Sequence, residues 1–185
     1  MGVNEYISYE QFGVNFVRHA VTAERIAASI TEQAGATIDE GPTPAGPGGI
    51  ATATSTGRIG TVRVIPNPGD LVRFDAVLPI ELDLEVKLGP VANRFRGLVE
   101  VPLRFTVHVA QPLMLVIEIA PVVGNEVRVD MRSTSVGTDV LQRVGNIEAE
   151  VQGQVARIVN QKMSTDQAKA ARIIDVGALV DESWA

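Results

Sequence analysis

The sequence predicts an α+β fold: a long, strongly bent antiparallel β-sheet wrapped around or packed against two long α-helices, one N-terminal and one C-terminal. Two patterns predict it. Apolar and polar residues alternate from Leu78 to Met131, which places side chains on opposite faces of strands. On either side of this stretch, apolar residues recur every three or four positions, as in amphipathic helices. A chain of 185 residues fits one domain, so we assign residues 1–185 to a single domain.

The composition narrows the range of functions. Aromatic residues are only 4% of a chain that is 45% hydrophobic, so the core must be mainly aliphatic. The net charge of −6 disfavours binding of nucleic acid or of an anionic membrane, because both attract basic surfaces. Without cysteine, the chain forms neither disulfides nor thiolate sites. No apolar run reaches the about 18 residues of a transmembrane segment, and no secretory signal is evident, so we expect a cytoplasmic protein.

The first helix is predicted over residues 9–34. Ser8 and Gln11 have the spacing of a capping box, in which each side chain accepts a bond from the other residue's backbone N–H. Gly35 is a typical helix terminator. The apolar stripe of this helix comprises Phe12, Phe16, Ala20, Ala23, Ile26 or Ala27, and Ile30.

Residues 41–57 are rich in Gly, Pro, Ala, Ser and Thr, so we expect a flexible loop that buries too little to order itself. A loop of this length also suits a lid over a binding site. The sheet is predicted over residues 58–131, with strands at 58–65, 71–88, 94–109, 113–119 and 127–131. Pro79 and Pro102 lie inside two of these strands and predict bends, because proline is tolerated only at strand edges, ends or bulges.

The second helix is predicted over residues 138–163, with Thr138 as its N-cap. Its apolar stripe comprises Val140 or Leu141, Val144, Ile147, Val151, Val155, Ile158 or Val159, and Met163. Residues 164–185 form a C-terminal tail, in which the apolar run after Ile173 predicts a short strand and turn that dock onto the body.

Residues for catalysis are few. His19 and His108 are the two histidines and lie far apart in sequence, which disfavours a metal site. Glu81, Asp83 and Glu85 share one strand face and would suit a cation site, but pairing with arginines of the next strand accounts for them better. Neither a phosphate-binding loop nor a serine nucleophile motif is present. We therefore expect a protein that is not an enzyme and that uses no cofactor and no metal.

The apolar face of the sheet is either a plain core or one wall of a cavity for a long apolar ligand. Such pockets are lined by aliphatic side chains with few polar anchors. We predict a fatty acid or phospholipid bound between helix and sheet, held by burial of its methylene groups. The candidate ligand-binding residues are Phe16, Ile30, Ile80, Leu82, Leu84, Val99, Val101, Leu103, Phe105, Val151 and Val155.

The segments 78–84, 99–105 and 155–175, the last with its Ile173-Ile174-Asp175-Val176 turn, resemble the tubular lipid-binding (TULIP) superfamily in pattern. This superfamily includes bactericidal/permeability-increasing-protein-like domains and synaptotagmin-like mitochondrial lipid-binding (SMP) domains. The resemblance lies in the order of elements over roughly residues 9–181. It implies a helix wrapped by a coiled antiparallel sheet, with a lipid held between them.

Two other functions stay open. The apolar stripes could join copies of this chain, making the protein a homo-oligomeric assembly module with a solid core and no ligand. An enzyme acting on an apolar substrate would instead need His19 or an acidic side chain inside the cavity.

Overall fold

The computed structural model describes residues 6–69, 72–134 and 147–184. It is an α+β fold in which one strongly curled antiparallel sheet forms a half-barrel. The strands are β1 Thr37–Ala45, β2 Ala51–Ile59, β3 Arg63–Asn67, β4 Arg73–Leu88, β5 Val91–Ala110, β6 Met114–Ile119, β7 Arg128–Ser133 and β8 Ile173–Asp175. The helices of these residues are α1 Tyr9–Ala20, α2 Ala23–Ala34, α3 Ile147–Met163, α4 Asp166–Ala170 and α5 Val176–Trp184.

The two central strands, β4 and β5, form one long hairpin, paired without a break from Arg73↔Thr106 to Leu88↔Val91. Gly89, at the turn, has a φ of 57°, a conformation that favours glycine. The predicted alternation is confirmed in β4, where every second side chain from Phe74 to Val86 is buried, and in β5, where every second side chain from Val99 to Val107 is buried. The buried parity forms the concave, apolar face of the sheet, and the other parity forms the convex, polar face.

Each central strand has two short outer neighbours in succession. On β4, β3 pairs with residues 73–77 and β2 with residues 80–87. On β5, β7 pairs with residues 95–100 and β6 with residues 105–110. Pro79 and Pro102 lie in the gaps between these outer neighbours. A proline without an N–H is tolerated there because no outer ladder bond is lost.

Gly97 lies on the concave parity of β5, in the stretch that pairs with β7. A Cβ atom at this position would lie 2.1 Å from the carbonyl oxygen of Asp130 and 2.6 Å from the sulfur of Met131. Only glycine therefore allows β7 to approach β5 at this point.

The N-terminal helix predicted over residues 9–34 is wrong as one element, because it breaks between α1 and α2. Val21 is extended and only 3% exposed, and the Thr22 hydroxyl accepts a bond from the Arg25 backbone N–H as the N-cap of α2. Two consecutive β-branched residues are poor helix formers, and threonine is a good cap. The ends are as predicted: Ser8 and Gln11 form the capping box, and Gly35 caps α2 with a φ of 74°.

The flexible loop predicted over residues 41–57 is also wrong. It contains the end of β1, a 3₁₀ turn at Pro47–Gly49 and most of β2. Threonine favours strands, and in β2 the threonines 52, 54 and 56 alternate with small residues on the other face. The predicted strand at 58–65 is accordingly divided between β2 and β3.

Two long flanking helices are not shown, since the helices of the described residues span 5 to 17 residues. Residues 138–146 of the predicted second helix, with the Thr138 cap, lie outside the described residues. The remainder of that helix is α3. In the tail, β8 pairs with β6, as the predicted docking strand requires. In the described part of the chain, no helix has both the length and the apolar character needed to cross a membrane.

Candidate functional site

Three adjoining clefts lie between the concave face of the sheet and the helices. The narrow cleft, of about 100 Å³, lies between α3 and strands β1, β2 and β4. The main cleft, of about 550 Å³, lies between α2, the middle of the sheet, the end of α3, and α4. The side cleft, of about 180 Å³, lies between α2, β6 and the start of β8. The narrow and main clefts share Ile38 and Val159, and the main and side clefts share Ile30, Phe105 and Ile119.

The narrow cleft exists because β2 presents small residues to the concave face. Ala53, Ser55 and Gly57 line it opposite α3. A Cβ atom on Gly57 would lie 2.9 Å from Cγ2 of Ile80, so glycine lets β1, β2 and β4 pack closely here. The same alternation of threonines with small residues that forms the strand therefore also leaves the space.

The main cleft has apolar walls and a polar rim. Leu78, Leu103 and Phe105 form its wall on the sheet and are each 4 to 5% exposed. Its polar rim comprises Ser29, Glu32, Gln33, Lys162, Thr165, Gln167 and Arg172. Its volume falls within the roughly 300–1,000 Å³ of small-molecule sites. Apolar walls with a polar rim suit an amphiphile better than a wholly polar ligand.

Helix α3 is tethered to the segment that joins β6 to β7, on the side away from the narrow cleft. The Asn160 amide accepts a bond from the Val122 N–H at 2.9 Å and donates one to the Val122 carbonyl at 2.8 Å. The Gln152 amide donates to the Val127 carbonyl at 2.9 Å. These bonds fix α3 from one side. Its opposite side can therefore face open clefts while the helix stays in place.

Arg172 is a cation shared by two of the clefts. It lines both the main and side clefts, is partly buried, and donates a bond to the carbonyl of Met163 at the end of α3. Burial lowers the pKa of its guanidinium from the ordinary value, because desolvation disfavours the charged form.

Eight of the predicted site residues line these clefts. Those at the narrow cleft are Ile80, Leu82, Leu84, Val151 and Val155. Those at the main cleft are Ile30, Leu103 and Phe105. Val99 and Val101 are 0% exposed and line none of the three clefts. Phe16 is 38% exposed on α1 and lies apart from them as well.

Sequence reasoning missed part of the lining. Ile38 belongs to a segment without a clear pattern, and Val86 and Leu78 belong to the predicted alternation but are not among the predicted site residues. Ile119 and Met163 lie on predicted elements whose position relative to the sheet is a tertiary property. No local sequence pattern identifies Arg172 as a lining residue, because it reaches the clefts only when β8 lies beside the end of α3.

The histidines and the strand carboxylates considered for catalysis do not line these clefts. Glu85 and Asp83 pair with Arg94 at 2.9 Å and Arg96 at 2.6 Å on the convex face. Glu81 lies 3.5 Å from Arg58, and His108 lies 2.9 Å from Glu118. His19 is exposed in the last turn of α1. Among the residues that the structure describes, no cluster of three or more acidic or histidine side chains could hold a metal ion.

A second apolar surface lies on α1, where Val17 is the one buried residue of the helix. Tyr9 is 97%, Phe12 60% and Phe16 38% exposed. The rings of Phe12 and Phe16 stack with centroids 6.4 Å apart. We call this surface the α1 aromatic face.

The sequence matches no protein-family model, and no curated protein matches it either. The function must therefore be argued from the geometry of the clefts.

Proposed function

We propose that this protein binds a long-chain lipid, without enzymatic chemistry, in the clefts between its helices and the concave face of its sheet. The observation that carries the proposal is the main cleft, about 550 Å³ in volume, with an apolar wall and a polar rim, adjoining two smaller clefts. The resemblance to tubular lipid-binding domains implies the same ligand class and the same location between helix and sheet.

The binding energy would come from burial of the acyl chain. Each methylene contributes about 0.8 kcal/mol, so about sixteen would contribute roughly 13 kcal/mol before association costs. Those costs are at least about 4 kcal/mol, which leaves at most about 9 kcal/mol of net binding energy, where micromolar affinity needs about 8 kcal/mol. A fatty acid or one chain of a phospholipid supplies enough methylenes.

Native mass spectrometry of the purified protein tests the proposal directly. We expect a bound species of lipid mass that disappears on organic extraction and is identified in the extract. A bare protein mass that is also unchanged after incubation with fatty acids and phospholipids would contradict lipid binding.

A matched pair of variants locates the site. Leu103→Trp places a larger side chain in the main cleft, since Leu103 is 5% exposed on the concave face of β5. Leu98→Trp makes the same change on the convex face of the same strand, where Leu98 is 43% exposed. We expect lipid uptake to fall at least tenfold for Leu103→Trp, about 1.4 kcal/mol, and to be unchanged for Leu98→Trp. Equal uptake by both variants would place the lipid elsewhere.

The α1 aromatic face favours a second candidate, a homo-oligomeric assembly module. Exposed aromatic side chains that stack on each other are typical of interfaces. Sedimentation velocity of the wild type and of a Phe12→Ser, Phe16→Ser double variant distinguishes the two. A stable oligomer without lipid, which dissociates in the double variant, would favour assembly over lipid binding.

A further inference from the structure

The backbone of Arg172 is held firmly at the start of β8. Its carbonyl accepts a bond from the Ile117 N–H at 2.8 Å, and its own N–H donates to the Lys169 carbonyl at 3.2 Å. The side chain projects between the main and side clefts and reaches the Met163 carbonyl. Its position is therefore set by two strands and a helix end rather than by a mobile loop.

The guanidinium has no anionic partner in the described part of the chain. None of the carboxylates there lies within 4.0 Å of Arg172, although Glu32 lines the same main cleft. Arginines of the convex face differ, since Arg94 and Arg96 both pair with carboxylates. The bond to the Met163 carbonyl accounts for one of the five N–H donors of the guanidinium.

The clefts around Arg172 are more basic than the protein as a whole. Lys162 and Arg172 line the main cleft with one acid, Glu32, and Arg25 lines the side cleft. Arg25 already donates to the carbonyls of Ala20, at 2.6 Å, and His19, at 3.3 Å. Lys162 and Arg172 are the two described cations that line the main cleft, on a chain whose net charge is −6.

We propose that Arg172, with Lys162 beside it, binds the anionic head group of the lipid while its chain lies in the main cleft. The ligand class is then a long-chain amphiphile that carries a carboxylate or a phosphate. A guanidinium fork suits both groups, and a partly desolvated cation binds an anion more strongly than an exposed one. This inference rests on the proposed lipid binding and specifies the chemistry of the ligand.

The test compares two probes with the same hydrocarbon chain, oleate and oleyl alcohol, by titration of the delipidated protein. The wild type should bind oleate about tenfold more tightly, equivalent to about 1.4 kcal/mol. Arg172→Met keeps an apolar stem but removes the charge, and should lose this preference while its affinity for oleyl alcohol is unchanged. Arg96→Met is the control, because Arg96 lies on the convex face, away from the three clefts, and pairs with Asp83 at 2.6 Å.

The wild-type comparison tests the inference even if Arg172→Met does not fold, and Lys162→Met supplies a second variant with a smaller expected loss. Equal binding of oleate and oleyl alcohol by the wild type would overturn the head-group inference and leave lipid binding intact. A preference that survives in Arg172→Met would overturn it too. Failure of the wild type to bind either probe would instead refute the proposed function and, with it, this inference.

A third probe, oleoyl lysophosphatidic acid, distinguishes the source of the anion. Tighter binding than oleate, again lost in Arg172→Met, would assign a phosphate head group. Weaker binding would assign a free fatty acid. Acetate and inorganic phosphate should not compete with oleate at millimolar concentration, since the chain supplies most of the affinity; competition by either would contradict a lipid ligand.

Discussion

Two parts of the concave face contain the same kinds of side chain but pack differently. Beside the pairing of β5 with β7, Val99 and Val101 are 0% exposed and Val127 is 1% exposed. Two residues farther along β5, Leu103 has similar burial but lines the main cleft. The apolar character of a face therefore does not determine whether it is filled.

The packed part and the main cleft differ in how closely the neighbouring strands and helices approach β5. In the packed part, Gly97 allows β7 onto β5, and Gly124 approaches α3, where a Cβ on Gly124 would lie 3.5 Å from Cα of Gly153. At the main cleft no such glycine contact exists among the described residues, and the long side chain of Arg172 spans from β8 to the end of α3. In the packed part a glycine lets β7 lie against β5, whereas at the main cleft a long arginine side chain lies between the elements.

Gly97→Val should be the most damaging change to the packed part. Its side chain would overlap the Asp130 carbonyl and the Met131 sulfur, so β7 must separate from β5. We expect a loss of more than about 3 kcal/mol in the free energy of unfolding, measured by urea denaturation. Gly13→Ala is the control, because no atom lies within 4 Å of the added Cβ, and it should be neutral or stabilise α1 by up to about 1 kcal/mol. Wild-type stability of Gly97→Val would show that β7 does not pack as described.

The pair Val101→Phe and Leu103→Phe tests most directly whether the packed part and the main cleft differ in free space. Both enlarge a buried side chain on the same face of the same strand. Val101 has no space beside it, so overpacking should cost about 2–3 kcal/mol, whereas Leu103→Phe can extend into the main cleft and should cost less than about 1 kcal/mol. Equal losses in urea denaturation would mean that the main cleft is closed in solution.

The sequence pattern was sufficient to predict β4 and β5 and the face on which each of their side chains lies. Few structures besides a half-buried strand require strict alternation of large aliphatic with polar residues. It was not sufficient for β1 and β2, since alternating Thr with Ala, Ser and Gly gives little contrast in hydrophobicity. The break at Val21 was hidden because the apolar stripe continues in step through both α1 and α2.

The candidate site was predictable only in part, for a related reason. Periodicity reports which face a side chain is on, but not how far away the opposite wall lies. Val101 and Leu103 are therefore equivalent in the sequence and different in the fold. Arg172 becomes part of the site only when β8 pairs with β6, a contact between residues far apart in the chain.

Asn160→Leu should have an intermediate effect by releasing α3 from its tether. The change leaves the N–H and carbonyl of Val122 without their partners in a partly buried site. We expect a loss of about 2 kcal/mol in the free energy of unfolding. Gln161→Leu, on the exposed neighbouring residue, should change stability by less than about 0.5 kcal/mol. If both variants unfold at the same urea concentration, the tether does not hold the helix.

Substitutions on the convex face should change the stability of the protein least, and their effect should depend on pH. The Lys87 ammonium lies 2.8 Å from Glu85 and the Arg94 guanidinium 2.9 Å, and their hydrogen bonds hold the pKa of this carboxyl below its ordinary value of 4.5. A lowered pKa in the folded state stabilises the protein above the unfolded-state pKa, and this contribution is lost as pH falls through the folded-state pKa.

Glu85→Gln should therefore lower Tm slightly at pH 7, by no more than about 2 °C because its cationic partners Lys87 and Arg94 are exposed, and should have no effect once the pH is well below 4.5. Added salt should reduce the difference at pH 7. Glu148→Gln is the control, since no described cation lies within 4.0 Å of Glu148. A larger loss at pH 7 than that of Asn160→Leu would mean that the charge pairs of the convex face, and not the packing of the concave face, hold the curled sheet together.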